Sequence, residues 1–302
     1  VIPTKTSGGI NGSSKEKKKI LNIVDAQFHF HIDTEQLQKN IHKVQPTDII
    51  NISWKEHGTS LILCNLLTKK ALSLKEKIAK FFGIPVSESE YKKFCSSRKV
   101  IKNPGMTKGY YDCDIWNLAF EVLKEYLSKG LSIYAEIVGY MPTGSMIQPG
   151  YDYQCVYDPK TYEYSKMTPK QMYDAKLFDI IVYRITYTNV EGRVFEFSTQ
   201  QMKSFCEKYG IHCIKELYYG LAYQLFPDLN PNEHWHENFL QALRDKYLER
   251  ESVLCNNKVP EEGIVLRREV SEIDVYKLKS IAFLERETKM LDKGEADIES
   301  NQ

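Results

Sequence analysis

The stretch Asp48–Leu67 (DIINISWKEHGTSLILCNLL) constrains this chain most. Ile49, Ile50, Ile52 and Trp54 give one β-rich apolar run, and Ser60 through Cys64 gives another. Between them, Lys55-Glu56-His57-Gly58-Thr59-Ser60 carries a glycine able to supply a tight turn. The pattern predicts two antiparallel strands with a lysine at their junction, its stem near apolar side chains and its amine facing a cleft. Such a lysine can act as a nucleophile when desolvation and neighbouring cations lower its proton affinity. Lys-x-x-Gly by itself carries little, because an ordinary surface lysine fits the spacing equally well.

The charge balance narrows the partners. Lys and Arg number 41 against 40 Asp and Glu, a net charge of +1, so general attachment to nucleic acid or acidic membrane is not expected. A local basic cleft stays open. The seven cysteines form no Cys-x-x-Cys pair, which points to reduced thiols in an intracellular setting rather than a disulfide framework or structural zinc. No apolar run reaches membrane-spanning length and no secretory leader is visible. Val1 in place of methionine leads us to expect a processed or excised piece.

Residues 1–19 are rich in Gly, Ser and Lys and read as a flexible leader, with Lys15–Lys19 as a solvated basic run. Residues 20–45 read as a short accessory segment: an alternating apolar stretch to His31, then a short helix opened by Asp33-Thr34-Glu35. Leu72–Phe82 reads as helix, stopped by Gly83 and Pro85, and Tyr91–Ile101 as strand and turn carrying Ser97-Arg98. Asp114–Leu127 is the clearest helix, with one apolar stripe. Strand Leu131–Tyr140 contains Glu136, and Thr168-Pro169 starts a helix. Leu177–Thr188 and Val194–Phe197 form a pair of strands, and Ser198 or Thr199 caps a helix ending at Gly210. Residues 214–250 read as helical, broken at Pro227 and Pro231, within an insert spanning 198–258. Glu262–Arg267 and Val275–Lys279 close the sheet, and Ser280–Lys293 is a final helix within a 281–302 tail. The expected class is α+β, mostly antiparallel sheet with helical insertions.

Polar residues recur on or beside these strands: Lys55, Arg98, Glu136, Tyr183, Glu262 and the pair Lys277/Lys279. The last two lie two apart on a strand and share a face, so they call for an anion nearby. Glu136 and Glu262 stand in apolar runs and call for cations or hydroxyls. A nucleoside triphosphate with a divalent metal supplies all of these. Each residue also has a plain structural reading: Tyr183 as an ordinary core aromatic, Glu136 paired with a lysine, Lys277/Lys279 as a solvated strand face.

Taken in order, the set resembles the covalent nucleotidyltransferase superfamily, and most of all the ATP-dependent RNA ligases of the Lys-x-His-Gly-Thr kind that seal nicks. Lys-Glu-His-Gly-Thr-Ser at 55–60 resembles the nucleophile motif and Ser-Arg at 97–98 the sugar-contacting one. Tyr-Ala-Glu-Ile-Val-Gly at 134–139 resembles the ribose-holding strand, and Ile-Gln-Pro-Gly-Tyr-Asp-Tyr at 147–153 the loop after it. Val-Tyr-Arg-Ile at 182–185 resembles the adenine-stacking strand. Glu-Gly-Ile-Val-Leu-Arg at 262–267 resembles the metal-binding motif, and Lys-Leu-Lys at 277–279 the phosphate-binding one.

The resemblance implies an ATP-grasp-like ligase adenylation domain over 46–280. It implies Lys55 as nucleophile, ATP as cofactor with AMP carried on Lys55, and Mg²⁺ or Mn²⁺ at Glu262. Arg98, Glu136, Tyr183, Lys277, Lys279, Arg267, Gly58 and Ser60 would contact the nucleotide, with Arg267 left open between phosphate and structural roles. The partner implied is RNA with 5′-phosphate and 3′-hydroxyl ends, with no membrane involved. His57 and Ser60 stand where DNA ligases and capping enzymes carry aspartate and arginine. Those two enzymes, or a binder without chemistry, remain the alternatives. No oligonucleotide-binding barrel is legible and residues 1–45 are too short for one, so an accessory domain is expected to be trimmed or dispensed with. His29/His31 and His234/His236 lack a third ligand at zinc-binding spacing.

Overall fold

Alternating β-branched and aliphatic residues make both faces of the longest strands apolar. In a computed structural model, which describes residues 22–102, 114–230, 234–272 and 274–292, these strands sort into two sheets. The five-stranded sheet has the order β1 (Glu35–Gln36), β11 (Val275–Lys279), β10 (Gly263–Arg268), β2 (Ile49–Trp54), β9 (Glu216–Leu221). The six-stranded sheet has the order β5 (Ile101–Lys102), β4 (Ser89–Ser96), β3 (Thr59–Lys69), β6 (Leu131–Gly139), β7 (Phe178–Thr188), β8 (Val194–Glu196). Pairing is antiparallel except between β1 and β11. The helices are α1 (Leu37–Asn40), α2 (Leu74–Phe81), α3 (Ile115–Leu123), α4 (Pro169–Asp174), α5 (Thr199–Tyr209), α6 (Ala222–Leu225), α7 (Trp235–Tyr247) and α8 (Ile281–Asp292).

One expectation is overturned here. Ile49–Trp54 and Thr59–Lys69 do not pair with each other: β2 pairs β10 and β9, whereas β3 pairs β4 and β6. Lys55–Gly58 is therefore a crossing between sheets, not a hairpin turn. The 214–250 region is corrected as well, because Glu216–Leu221 is an edge strand on β2. Residues 22–45 pack onto both sheets: Ile23 bridges Thr68 of β3, and β1 pairs β11. The leader at 1–19, Pro231, Lys293 and the tail beyond Asp292 lie outside the described residues.

Period-two alternation explains how β3 fills two cores at once. Leu61 and Leu63 join Ile133, Ala135, Ile137 and Trp116 under α3, α4 and α5, while Ile62, Cys64 and Leu66 pack with Phe94 and Tyr134 on the other face. The second sheet buries Ile50, Ile52, Trp54, Ile264, Leu266 and Leu278 against Trp235, Phe239 and Leu243 of α7. Caps hold the helix starts where the sequence places them. Ser73, Thr168 and Ser198 form capping boxes, Pro169 fills the first position of α4, and Asp114 caps α3. A smaller cluster of Val138, Tyr151, Tyr153, Ile181, Val259 and Phe283 packs β6 and β7 of the six-stranded sheet against the 147–153 loop and α8.

Candidate active site

Lys55 follows the last residue of β2, and its backbone N–H donates to the Gly263 carbonyl (2.9 Å), which brings it beside Glu262. Its Nζ lies 2.6 Å from Glu262 Oε1, and Lys279 Nζ lies 3.2 Å from the same oxygen. His57 Nδ1 faces the other oxygen at 3.5 Å. The Glu262 side chain is fully buried. Burial alone would push its carboxyl up, but the charge of Lys55, the His57 ring and the charge of Lys279 overcome that and hold it well below the usual carboxylate range. Lys55 is thus one half of an ion pair, with an anion nearer to it than the cations the sequence reading placed around it.

His57 is fixed from several sides. Its N–H donates to Tyr153 Oη (2.9 Å) while that hydroxyl donates back to the His57 carbonyl (2.8 Å). Its Nε2 meets the Gln148 side-chain amide. Tyr151 and Phe283 pack edge-on against the ring at 4.8 and 4.9 Å. The loop 147–153 therefore acts as a brace for the Lys55–Gly58 segment, a role its sequence alone does not reveal. Gly58 is required for closeness rather than for a turn. A Cβ there would stand 2.6 Å from the Ile137 carbonyl and 2.9 Å from Val138 Cγ1. Gly58→Ala should cost about 1–3 kcal/mol through this overpacking, read as a lower denaturant midpoint at unchanged m-value.

A cavity of about 110 Å³ opens between the sheets, lined by Lys55, Glu136, Tyr183, Arg184, Arg267 and His31 among others. An adjoining one of about 30 Å³ is lined by Arg98, Gly58, Ser60 and Lys277, again with Lys55 and Glu136. Every predicted site residue lines one of these cavities, except Glu262 and Lys279, which meet Lys55 as described. Tyr183 sits at a β-bulge: Tyr134 pairs Arg184 and Ala135 pairs Val182, so Tyr183 has no partner on β6. Bulges re-aim side chains next to binding sites. Burial first, then Glu136, push its hydroxyl well above the ordinary value. That hydroxyl meets His31 Nδ1 at 3.1 Å, the two rings nearly perpendicular. Arg98 pairs with Asp33. Arg267 donates to the Phe197 carbonyl (2.5 Å) and lies 3.3 Å from Glu269, so part of its guanidinium serves the framework.

Sequence reasoning missed the walls of the larger cavity. His31, Ile32 and Thr34 come from the segment before the core, and Thr199, Met202 and Ile214 from the insert. Only contacts at long sequence separation reveal them.

The donor set fits a hard divalent cation. Both Glu262 oxygens are buried, one shared by Lys55 and Lys279 and the other facing His57, and a carboxylate oxygen so placed suits a hard cation that would take over from a lysine. Among the described residues no cluster of three or more His, Cys, Asp or Glu forms a protein-only cage. Mg²⁺ commonly takes one or two carboxylates and completes its shell with water and substrate phosphate. Of the histidine pairs, His29 contacts the Ala26 carbonyl and His236 the Val44 carbonyl, whereas His31 lines the cavity against Tyr183.

Two further carboxyls lie close by. Burial, then the charges of Glu261 and Glu262, push Glu56 up to about 8, and burial chiefly lifts Glu261 to about 7. Both bind a proton more tightly folded than unfolded, where 4.5 is the ordinary value. Their contribution to stability is whole below that value and is lost as pH climbs through 7 to 8. Melting curves across this window should show wild-type Tm falling toward the alkaline end and Glu56→Gln falling less.

No protein-family model matches the chain, and no curated protein matches it. Among solved structures, it is similar to a ligand-free mutant of Naegleria gruberi RNA ligase at 15% identity and TM-score 0.50, over 93% of this chain and 64% of that one. The same ligase with pyrophosphate matches at 14% identity and TM-score 0.50, over 95% and 65%. A mutant with ATP and manganese matches at 15% identity and TM-score 0.50, over 94% and 64%. The chain thus spans less than two thirds of the length of these structures. Among the described residues no helix is long and apolar enough to cross a membrane. At such identities the likeness is one of fold, and the fold is the one these RNA ligase structures carry.

Proposed function

We propose that this chain is an ATP-dependent RNA ligase whose nucleotidyltransferase part spans 46–280. The observation that carries the reading is the Lys55–Glu262–Lys279 group beside a cleft that also holds Glu136, Tyr183, Arg98 and Lys277. In the first step Lys55 Nζ, deprotonated, attacks the α-phosphorus of ATP; a P–N bond forms and the bond to pyrophosphate breaks. AMP then passes from Lys55 to the 5′-phosphate of an RNA end. Last, a 3′-hydroxyl attacks that phosphate and AMP leaves.

For the first step the Lys55–Glu262 pair has to part. A Mg²⁺ or Mn²⁺ ion held by Glu262 and the phosphates would supply Lewis-acid stabilisation of the charge developing there. Lys277 and Lys279 add fixed positive charge on the same side. Tyr183 offers a ring face to adenine, Glu136 accepts from ribose hydroxyls, and Arg98 donates to the sugar once it exchanges Asp33 for the ligand. His31, Ile32 and Thr34, with Thr199, Met202 and Ile214 of the insert, then serve as walls of the nucleotide site.

The test is intact mass after exposure to ATP with Mg²⁺ or Mn²⁺. One AMP should be added to the wild type and none to Lys55→Ala. GTP in place of ATP tests the capping-enzyme alternative, and a nicked RNA set against a nicked DNA duplex tests the strand. Absence of any adduct from the wild type would leave a binder without chemistry.

A further inference from the structure

Helix α2 lies at the pole remote from Lys55. Strand β3 begins at Thr59 and runs eleven residues toward it, roughly 35 Å at about 3.3 Å per residue. The helix is mounted the wrong way round for a globular domain. Its half-buried residues are Glu76, which is tied to Lys70 and the Ser73 cap, and Ala79. Leu74, Ile78, Phe81 and Phe82, continued by Ile84, are between 50% and 84% exposed. No residue of the helix is buried. At roughly 100° per residue, positions 74, 78, 81 and 82 form one stripe, and Lys75 and Lys77 fall on its two edges.

We propose that α2 is a docking element for an anionic membrane surface. The apolar stripe enters the boundary between headgroups and acyl chains, while Lys75 and Lys77 reach lipid phosphate from either side of it. Charge decides the occupant. Residues 69–80 carry five lysines, Lys69, Lys70, Lys75, Lys77 and Lys80, against one acid, Glu76. Asp25 and Glu88, which approach Lys69 and Lys80, leave this pole positive. A second copy of the helix would bring like charges together. A nucleic acid would meet the lysines and leave five apolar side chains in water. An acidic bilayer satisfies both features. The near-neutral net charge, from which no membrane contact is expected, averages over this local asymmetry.

Flotation of the full chain with two kinds of vesicle tests the proposal: phosphatidylcholine alone, and phosphatidylcholine containing phosphatidylserine. The wild type should float with the serine-containing vesicles and much less with the neutral ones. Phe81→Asp/Phe82→Asp should partition roughly tenfold less, with two rings removed from the interface. Lys75→Glu/Lys77→Glu should lose the preference for phosphatidylserine. All of these positions are exposed, so unchanged melting curves will establish that the variants fold. Three results would overturn the proposal: no flotation of the wild type, equal flotation of wild type and the Phe81→Asp/Phe82→Asp variant, or a wild-type dimer in gel filtration that the same variant abolishes.

Discussion

Lys55→Arg should stop formation of the AMP adduct while leaving the protein folded. The guanidinium stays protonated at any working pH and has no free electron pair for phosphorus, so the rate read by intact mass should fall by more than about a thousandfold. The same group can still satisfy Glu262, and with a forked geometry suited to a carboxylate. The melting temperature should therefore move by only a few degrees. Lys55→Ala differs, because it removes one of the two lysines on a fully buried carboxylate and loses stability as well as chemistry. An arginine variant that still acquires AMP would show that some other residue is the nucleophile.

Glu262→Gln should be the most damaging single change to the site. It leaves Lys55 and Lys279, side chains 16% and 13% exposed, facing each other without their common counter-charge. Breaking a buried pair in this way costs about 3–5 kcal/mol. Adduct formation with either Mg²⁺ or Mn²⁺ should disappear with it. Adding Lys279→Met should recover part of the stability and none of the adduct, since the two positions share one interaction. The acid limb provides a second reading. Glu262 titrates lower folded than its ordinary 4.5, so its stabilisation is present above that value and is lost as pH falls toward the folded value. Chemical denaturation at decreasing pH should show a steeper loss for wild type than for Glu262→Gln.

Much of this molecule could be read residue by residue, and the failures share one cause. β3, β6 and β7 were legible because their apolar alternation is local, and α3 because its stripe and its Asp114 cap are. The fate of Ile49–Trp54 was not local. Two apolar runs around a glycine look the same whether they fold back on each other or part into separate sheets, and the partners that decide it, Gly263–Arg268 and Glu216–Leu221, lie far along the chain. Glu216–Leu221 reads as helix in the sequence because it is a half-exposed edge with no clean alternation. The polar site residues stood out as charges in apolar strands. His31 and Asp33 did not, since their contacts with Tyr183 and Arg98 span 152 and 65 residues.

The crossing at Lys55–Gly58 joins two plates, and the Lys55 amine rides on the joint. Lys277 belongs to one plate and Glu136 to the other. On the proposed function, a molecule gripped by both would draw the plates together, and that movement would twist the backbone torsions of the short strap between them. In the proposed reaction, grasping the nucleotide and aiming the amine would then be a single mechanical act, and stiffening the joint should impair both together.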